Sequence, residues 1–209
     1  MTGEQLTGGI YAIADAEVLA PAPVPAAVAA MAEEGVRWIQ IRGKRLSGSE
    51  WFRLVEECCR AVEGSGAGLW VDDRADLAAL FPVAGLHVGQ ADLPPGAARR
   101  VVGPGVRIGL STHTEEQVAA AGSDPDVDVI AVGPVFPTTG KDRPDPVVGL
   151  PFVRQARART EKTLVAIGGI DAGNVAEVLA AGADFAVVLG AVCRGDVRAN
   201  CRRLLAAAG

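Results

Sequence analysis

Short apolar runs recur along the chain, and charged or small polar residues close each of them. The runs predict strands over 10–13, 37–41, 68–71, 85–88, 106–110, 127–132, 163–167 and 184–189. Between them, apolar residues fall at helical spacing over 25–34, 49–62, 75–81, 97–102, 115–121, 150–159, 174–181 and 198–207. The strand segments are apolar continuously rather than alternately, which suits a parallel sheet covered on both faces. Eight strands, each followed by a helix, predict an α/β protein built as a single (β/α)8 TIM barrel domain over residues 1–209. Ser49 before Glu50, Thr114 before Glu115, and Asp171 three residues ahead of Asn174 signal helix starts. Gly35, Gly122 and Gly182 each follow a helical run as C-terminal caps do. A doubly wound sheet is the alternative architecture, but its phosphate loop normally follows the first strand, where Ala14-Asp15-Ala16 carries no glycine-rich fingerprint.

Composition narrows the function. With 209 residues, 49% of them hydrophobic, the chain can bury a substantial core. A formal net charge of −5 without any block of like charge argues against a nucleic-acid partner. The longest apolar stretches are too short to span a membrane, and the N-terminal residues lack a basic region followed by an apolar one. A soluble cytoplasmic protein with no membrane partner is expected. Cys58, Cys59, Cys193 and Cys201 have neither metal-ligand spacing nor histidine neighbours, against structural zinc or a disulfide framework.

In a barrel the strand C-terminal ends share one face. Gln40, Arg42 and Lys44 stand at alternate positions behind Trp38-Ile39, and so on one side of an extended segment. A guanidinium fork, an ammonium and an amide together form a cradle for phosphate oxygens; a solvated strand end is the competing explanation. Asp72, Asp73 and Asp76 surround Arg74 at the next strand end, where one of the first two can bind a hard cation and Asp76 can start a helix. Asp92 brings a further carboxylate to the end of the neighbouring strand, and Mg2+ is typically held by one or two carboxylates plus substrate phosphates.

His87 lies inside an apolar run, which favours a buried, hydrogen-bonded structural histidine. His113 follows Ser111-Thr112 at the site face and fits a ligand, a general base or a loop residue. The stretch from Gly133 through Phe136, Thr138, Thr139, Gly140 and Lys141 reads as a lid over a phosphate site, but without the spacing of a nucleotide triphosphatase. Gly168-Gly169 and Leu189-Gly190 end the seventh and eighth strands, where barrels often hold phosphate on backbone amides.

The strings Q-I-R-G-K, D-D-R-A-D-L, G-L-H-V-G-Q-A-D-L, G-L-S-T-H, G-P-V-F-P-T-T-G-K and I-G-G-I, in that order, resemble the thiamine-phosphate synthase family along nearly the whole chain. The resemblance implies a (β/α)8 transferase that joins 4-amino-2-methyl-5-(diphosphooxymethyl)pyrimidine to a thiazole phosphate, releasing pyrophosphate. It implies that Gln40, Ile41, Arg42, Gly43 and Lys44 bind the pyrimidine diphosphate, with Ser111 and Lys141 completing the grip and Asp72 beside the pyrimidine. Arg42, Lys44, Lys141 and Ser111 are then the catalytic set, and Asp73 and Asp92 the Mg2+ ligands. Thr138, Thr139, Gly140, Gly169, Leu189 and Gly190 correspond to the thiazole phosphate pocket. Three positions depart from the family pattern: Asp72 replaces a usual Asn, Gly140 a usual Thr and Gly190 a usual Ser.

The implied partners are two small phosphorylated substrates, and homo-oligomerisation is left open. A thiazole tautomerase of the same barrel family is the alternative, since His113 stands where its catalytic histidine would; Gln40, Lys44, Asp92 and Lys141 argue against it, because a tautomerase has no diphosphate to hold. A non-catalytic phosphate-binding regulator is the reading from a different class.

Overall fold

The computed structural model describes residues 8–19, 23–138 and 146–209. Eight strands alternate with helices: β1 (Gly9–Asp15), α1 (Val24–Glu33), β2 (Trp38–Arg42), α2 (Gly48–Val62), β3 (Gly68–Asp72), α3 (Ala75–Leu80), β4 (Gly85–Val88) and α4 (Pro95–Val102). The series continues with β5 (Arg107–Thr112), α5 (Glu115–Ser123), β6 (Val129–Val132), α6 (Gly149–Arg157), β7 (Thr163–Ile167), α7 (Val175–Ala180), β8 (Phe185–Val188), α8 (Gly190–Cys193) and α9 (Val197–Ala208). All strands pair in parallel, and β8 returns to β1 to close the barrel. The TIM barrel expected from the alternating pattern is the observed fold.

Two buried clusters follow from strand parity. One residue parity packs outward against the helices, as Ile39, Ile41, Leu69 and Val71 do in the larger cluster. The other points into the barrel, where Tyr11, Ile13, Trp38, Trp70, Val165, Phe185 and Val187 form a second cluster. Trp38 stacks on Phe185 with centroids 4.3 Å apart and meets Trp70 at 4.8 Å. These rings fill the interior as a floor. Burial of each aromatic ring on this scale contributes several kcal/mol, and the offset contacts add about 1 kcal/mol apiece.

Helix ends follow local chemistry with two corrections. The cap of α2 is Ser47, not Ser49: the Ser47 side chain accepts from the Glu50 amide while Glu50 accepts from the Ser47 amide at 2.8 Å, a capping box. Gly122 lies inside α5 and is no cap, whereas Gly35 and Gly182 have positive φ where their helices end. Thr114 caps α5 as expected, accepting from the Gln117 amide at 3.3 Å. Asp171 acts in the turn before α7, accepting from Gly173, while Asn174 precedes the helix without a side-chain cap.

The rim opposite the strand C-termini carries a repeated clamp. Asp128, just before β6, accepts from the Ile108 amide at 2.8 Å and from Arg99 at 2.6 Å. Asp184, just before β8, accepts from the Leu164 amide at 2.7 Å and from Arg157 at 3.0 Å. Each carboxylate thus ties an incoming strand to its neighbour and to a helix two units earlier. Asp184→Ala is expected to cost about 1–2 kcal/mol, reduced from a fully buried pair by its exposure, while changing turnover less than about twofold. Urea midpoints and initial rates check this pair of outcomes.

Candidate active site

The inward parity that builds the aromatic floor carries polar side chains at the strand C-termini. Tyr11-Ile13-Asp15 runs up β1, Trp38-Gln40-Arg42 up β2, Trp70-Asp72 up β3, Gly85-His87 up β4 and Gly109-Ser111 up β5. Pairing places Asp15 beside Arg42, Asp72 beside His87 and Ser111 beside Ala131. A cleft of about 220 Å³ opens here, lined by Gly43, Lys44, Leu46, Trp51, Asp72, Asp73 and Arg74. A larger surface hollow, about 750 Å³, lies around Ser123, Arg159 and Lys162 at the other rim and holds none of the predicted site residues.

Charges interlock at the rim. Arg42 pairs with Asp15 through Nη1, which also lies 3.6 Å from Glu17, and its Nε lies 3.7 Å from Asp72. Lys44 pairs with Asp73 and stands 3.0 Å from Asp72. Burial works to lower the Lys44 ammonium, but Asp72 and Asp73 outweigh it and hold the group above the ordinary lysine value. Asp72 is raised by burial against the pull of Lys44 and Arg42. Asp73 is raised by burial and then by repulsion from Asp72, with Asp92 adding a smaller push, against the pull of Lys44. Arg74 pairs with Asp76 at 2.5 Å.

Asp73 is the only described non-glycine residue with positive φ, at 59°. Aspartate tolerates this region better than most residues, and the strain, about 1 kcal/mol or more, is borne by the Asp73 amide donating to the His87 carbonyl at 2.9 Å. Asp92, in the turn after β4, accepts from the Gly89 amide at 2.9 Å. Ser111 Oγ lies 2.9 Å from His87 Nε2, and Gln90 donates to the Ser111 carbonyl at 2.7 Å. Gln40, 2% exposed, donates to the Tyr11 hydroxyl at 2.9 Å.

Gln40, Arg42, Lys44, Asp72 and Asp73 converge, and Asp92 is near enough to perturb Asp72 and Asp73. The Ile41 side chain is fully buried in the strand–helix core, so only its backbone can face a substrate. His87 is half-buried and turned into the barrel against Ser111, a place in the site rather than in the outer core. His113 Nδ1 sits 2.7 Å from the Gly133 carbonyl, an acceptor, so that nitrogen carries the proton. Thr139, Gly140 and Lys141 lie outside the described residues; Thr138 is described and half-buried at their edge.

Gly169 and Gly190 differ in what they do. Gly168 and Gly169 have φ of 108° and 64°, and the loop after β6 packs directly on them: the Phe136 amide donates to the Gly168 carbonyl at 3.0 Å. A Cβ at Gly168 would stand 2.5 Å from Pro134 Cα, so Gly168→Ala is expected to cost about 2–4 kcal/mol, read from a denaturant midpoint. Gly190 opens the short α8, and a Cβ there would meet nothing nearer than Arg194 at 3.8 Å, so the usual Ser would fit. The sequence reading missed Asp15, Glu17, Tyr11 and the four-residue α8. The signal for Asp15 was present: it continues the alternate positions of Tyr11 and Ile13.

Among the described residues no group of three or more His, Cys, Asp or Glu could hold a metal, and no helix is long and apolar enough to cross a membrane. Residues 10–192 match the family described as thiamine monophosphate synthase. A thiamine-phosphate synthase of Koribacter versatilis is 44% identical over 184 residues, 86% of each chain. One of Acidothermus cellulolyticus is 46% identical over 170 residues, 81% of this chain and 80% of that one. The solved thiamine phosphate pyrophosphorylase of Pyrococcus furiosus superposes with a TM-score of 0.86 at 29% identity, over 97% of this chain and 96% of that one. A family match across most of the length, on a barrel whose strand ends converge as described, means that this chain belongs to the thiamine monophosphate synthase family.

Proposed function

We propose that this protein joins 4-amino-2-methyl-5-(diphosphooxymethyl)pyrimidine to a thiazole phosphate, with Mg2+, to give thiamine phosphate and pyrophosphate. The family membership makes it a transferase of the thiamine-phosphate synthase type. One observation supports the substrate assignment most: Lys44, Asp72 and Asp73 line one cleft at adjacent strand ends, and Arg42, on the inward parity of β2, reaches Asp72 at 3.7 Å.

Arg42 and Lys44 hold the diphosphate, and their charge counters the charge gathering on the departing pyrophosphate. Ser111, fixed by His87, contributes a hydroxyl to the same group. Gln40, held by Tyr11, borders the pyrimidine above the aromatic floor. Backbone amides at Gly169, Leu189 and Gly190, with Thr138, hold the thiazole phosphate. The aminopyrimidine donates electrons to its methylene carbon as the C–O bond to the diphosphate breaks, and the thiazole nitrogen captures that carbon. No protein nucleophile is required; positioning and electrostatics carry the step. Thr139, Gly140 and Lys141 join the lid on the strength of the family resemblance.

The donor set fits Mg2+. Asp73 and Asp92 are hard oxygen donors at neighbouring strand ends, two carboxylates of the kind Mg2+ takes beside substrate phosphates, and the push of Asp92 on Asp73 is one a cation between them would relieve. When bound, Mg2+ would neutralise charge on the diphosphate oxygens. The same reading makes the protein a cytoplasmic enzyme acting on small phosphorylated molecules, with one barrel domain over 1–209 carrying the whole reaction.

The test is to mix purified protein, both substrates and Mg2+. Equimolar pyrophosphate and thiamine phosphate support the synthase. Isomerisation of a thiazole carboxylate phosphate without pyrophosphate release would assign a tautomerase, and binding without turnover a regulator.

A further inference from the structure

Asp15 is an aspartate with 1% exposure at the inner end of β1, and it lies outside every substrate or metal role assigned above. The β1–β2 register sets it beside Arg42, and the Ala16 amide donates to the Arg42 carbonyl at 2.8 Å, so backbone and side chain of Arg42 are tied to the same turn. Asp15 divides its two oxygens: Oδ1 accepts from the Glu17 amide at 2.8 Å, and Oδ2 takes Arg42 Nη1. Glu17, fixed in turn by Asp15, lies 3.6 Å from the same Nη1 and accepts from the Arg45 amide at 3.1 Å. The turn after β1 therefore grips the turn after β2 at both Arg42 and Arg45.

This grip uses one face of the guanidinium. Nη1 is committed to Asp15 and Glu17, and Nε faces Asp72, while no described residue accepts from Nη2. An arginine held on two sides by carboxylates cannot swing freely, and its remaining donors are aimed before any ligand arrives. Preorganised donors contribute most where charge develops, because no reorganisation is needed at that moment.

We propose that Asp15 is a positioning residue for the synthase reaction: buried under the site, it fixes the Arg42 guanidinium so that its outward donors meet the substrate diphosphate. The proposal rests on the reading of Arg42 as a diphosphate ligand. Asp15 itself touches no substrate and acts through Arg42.

A double-mutant cycle tests it, with inorganic pyrophosphate titrated in the presence of Mg2+ as the probe and steady-state kinetics as the second readout. Asp15→Ala is expected to weaken pyrophosphate binding and raise KM for the pyrimidine diphosphate about ten- to a hundredfold, leaving KM for the thiazole phosphate within about twofold. Asp15→Asn keeps an oxygen for Arg42 and should recover most of that loss. In an Arg42→Ala background, Asp15→Ala should add nothing further. Equal fold-losses from Asp15→Ala in both backgrounds, or unchanged pyrophosphate binding in Asp15→Ala alone, would overturn the positioning role while leaving Arg42 as a ligand. Unchanged pyrophosphate binding in Arg42→Ala overturns the diphosphate assignment and the proposal with it. If Asp15→Ala does not fold, Asp15→Asn carries the same cycle, with a smaller loss in the native background and none beside Arg42→Ala expected.

Discussion

Arg42→Ala is expected to lower turnover about a thousandfold, the scale seen when one preorganised donor to a developing anion is removed. The same change leaves Asp15 buried without its cation, and removing one partner of a buried pair costs about 3 kcal/mol of stability. Two effects are therefore mixed in one variant, and they can be separated. Asp15→Asn combined with Arg42→Gln replaces the ion pair by neutral groups of similar shape, so the stability should return while the turnover stays low. Thermal melts beside rates of pyrophosphate release decide it. Recovery of turnover together with stability would mean that Arg42 serves only the fold.

Asp92→Asn is expected to lower turnover at saturating Mg2+ by about two to three orders of magnitude and to shift the Mg2+ dependence to higher concentration by more than about tenfold. The substitution is chosen for what it leaves intact. An amide oxygen still accepts from the Gly89 amide, so the turn after β4 keeps its closure and the melting temperature should stay nearly constant. Only the charge is lost. Mg2+ titrations followed by initial rate and by calorimetry read the effect directly, and activity unchanged at limiting Mg2+ would remove Asp92 from the ligand set.

Strand positions were legible because a parallel barrel strand is apolar on both faces, and a continuous run such as Leu164-Val165-Ala166-Ile167 has few other uses. That same property hid the site's inner wall. In β4 both Leu86 and Val88 are buried against helices, so nothing local says that His87 between them faces the barrel interior and Ser111. Ile41 belongs to a motif that spans both parities, and because its side chain lies on the outward one a cleft sees only its backbone. Arg42, Lys44 and Asp73 stood out because each lies in a string of several polar or charged residues behind its strand, and Asp92 because it brings a carboxylate to the next strand end. Asp15 did not, because a single carboxylate after a strand looks like any strand end until the β1–β2 register pairs it with Arg42. The capping error at α2 has a different cause: the S-x-x-E spacing of a capping box runs from Ser47 to Glu50 and is legible in the sequence, whereas Ser49 stands directly before Glu50 and cannot form that box.

A crystal structure with pyrophosphate and Mg2+ bound examines the convergence of these strand ends most directly. Pyrophosphate should lie at the C-terminal rim within hydrogen-bond distance of Arg42, Lys44 and Ser111, with Mg2+ on Asp73 and Asp92. Pyrophosphate bound instead around Arg159 and Lys162 at the opposite rim, with Arg42 and Lys44 still locked to their carboxylates, would contradict the assignment of this face as the site of the reaction.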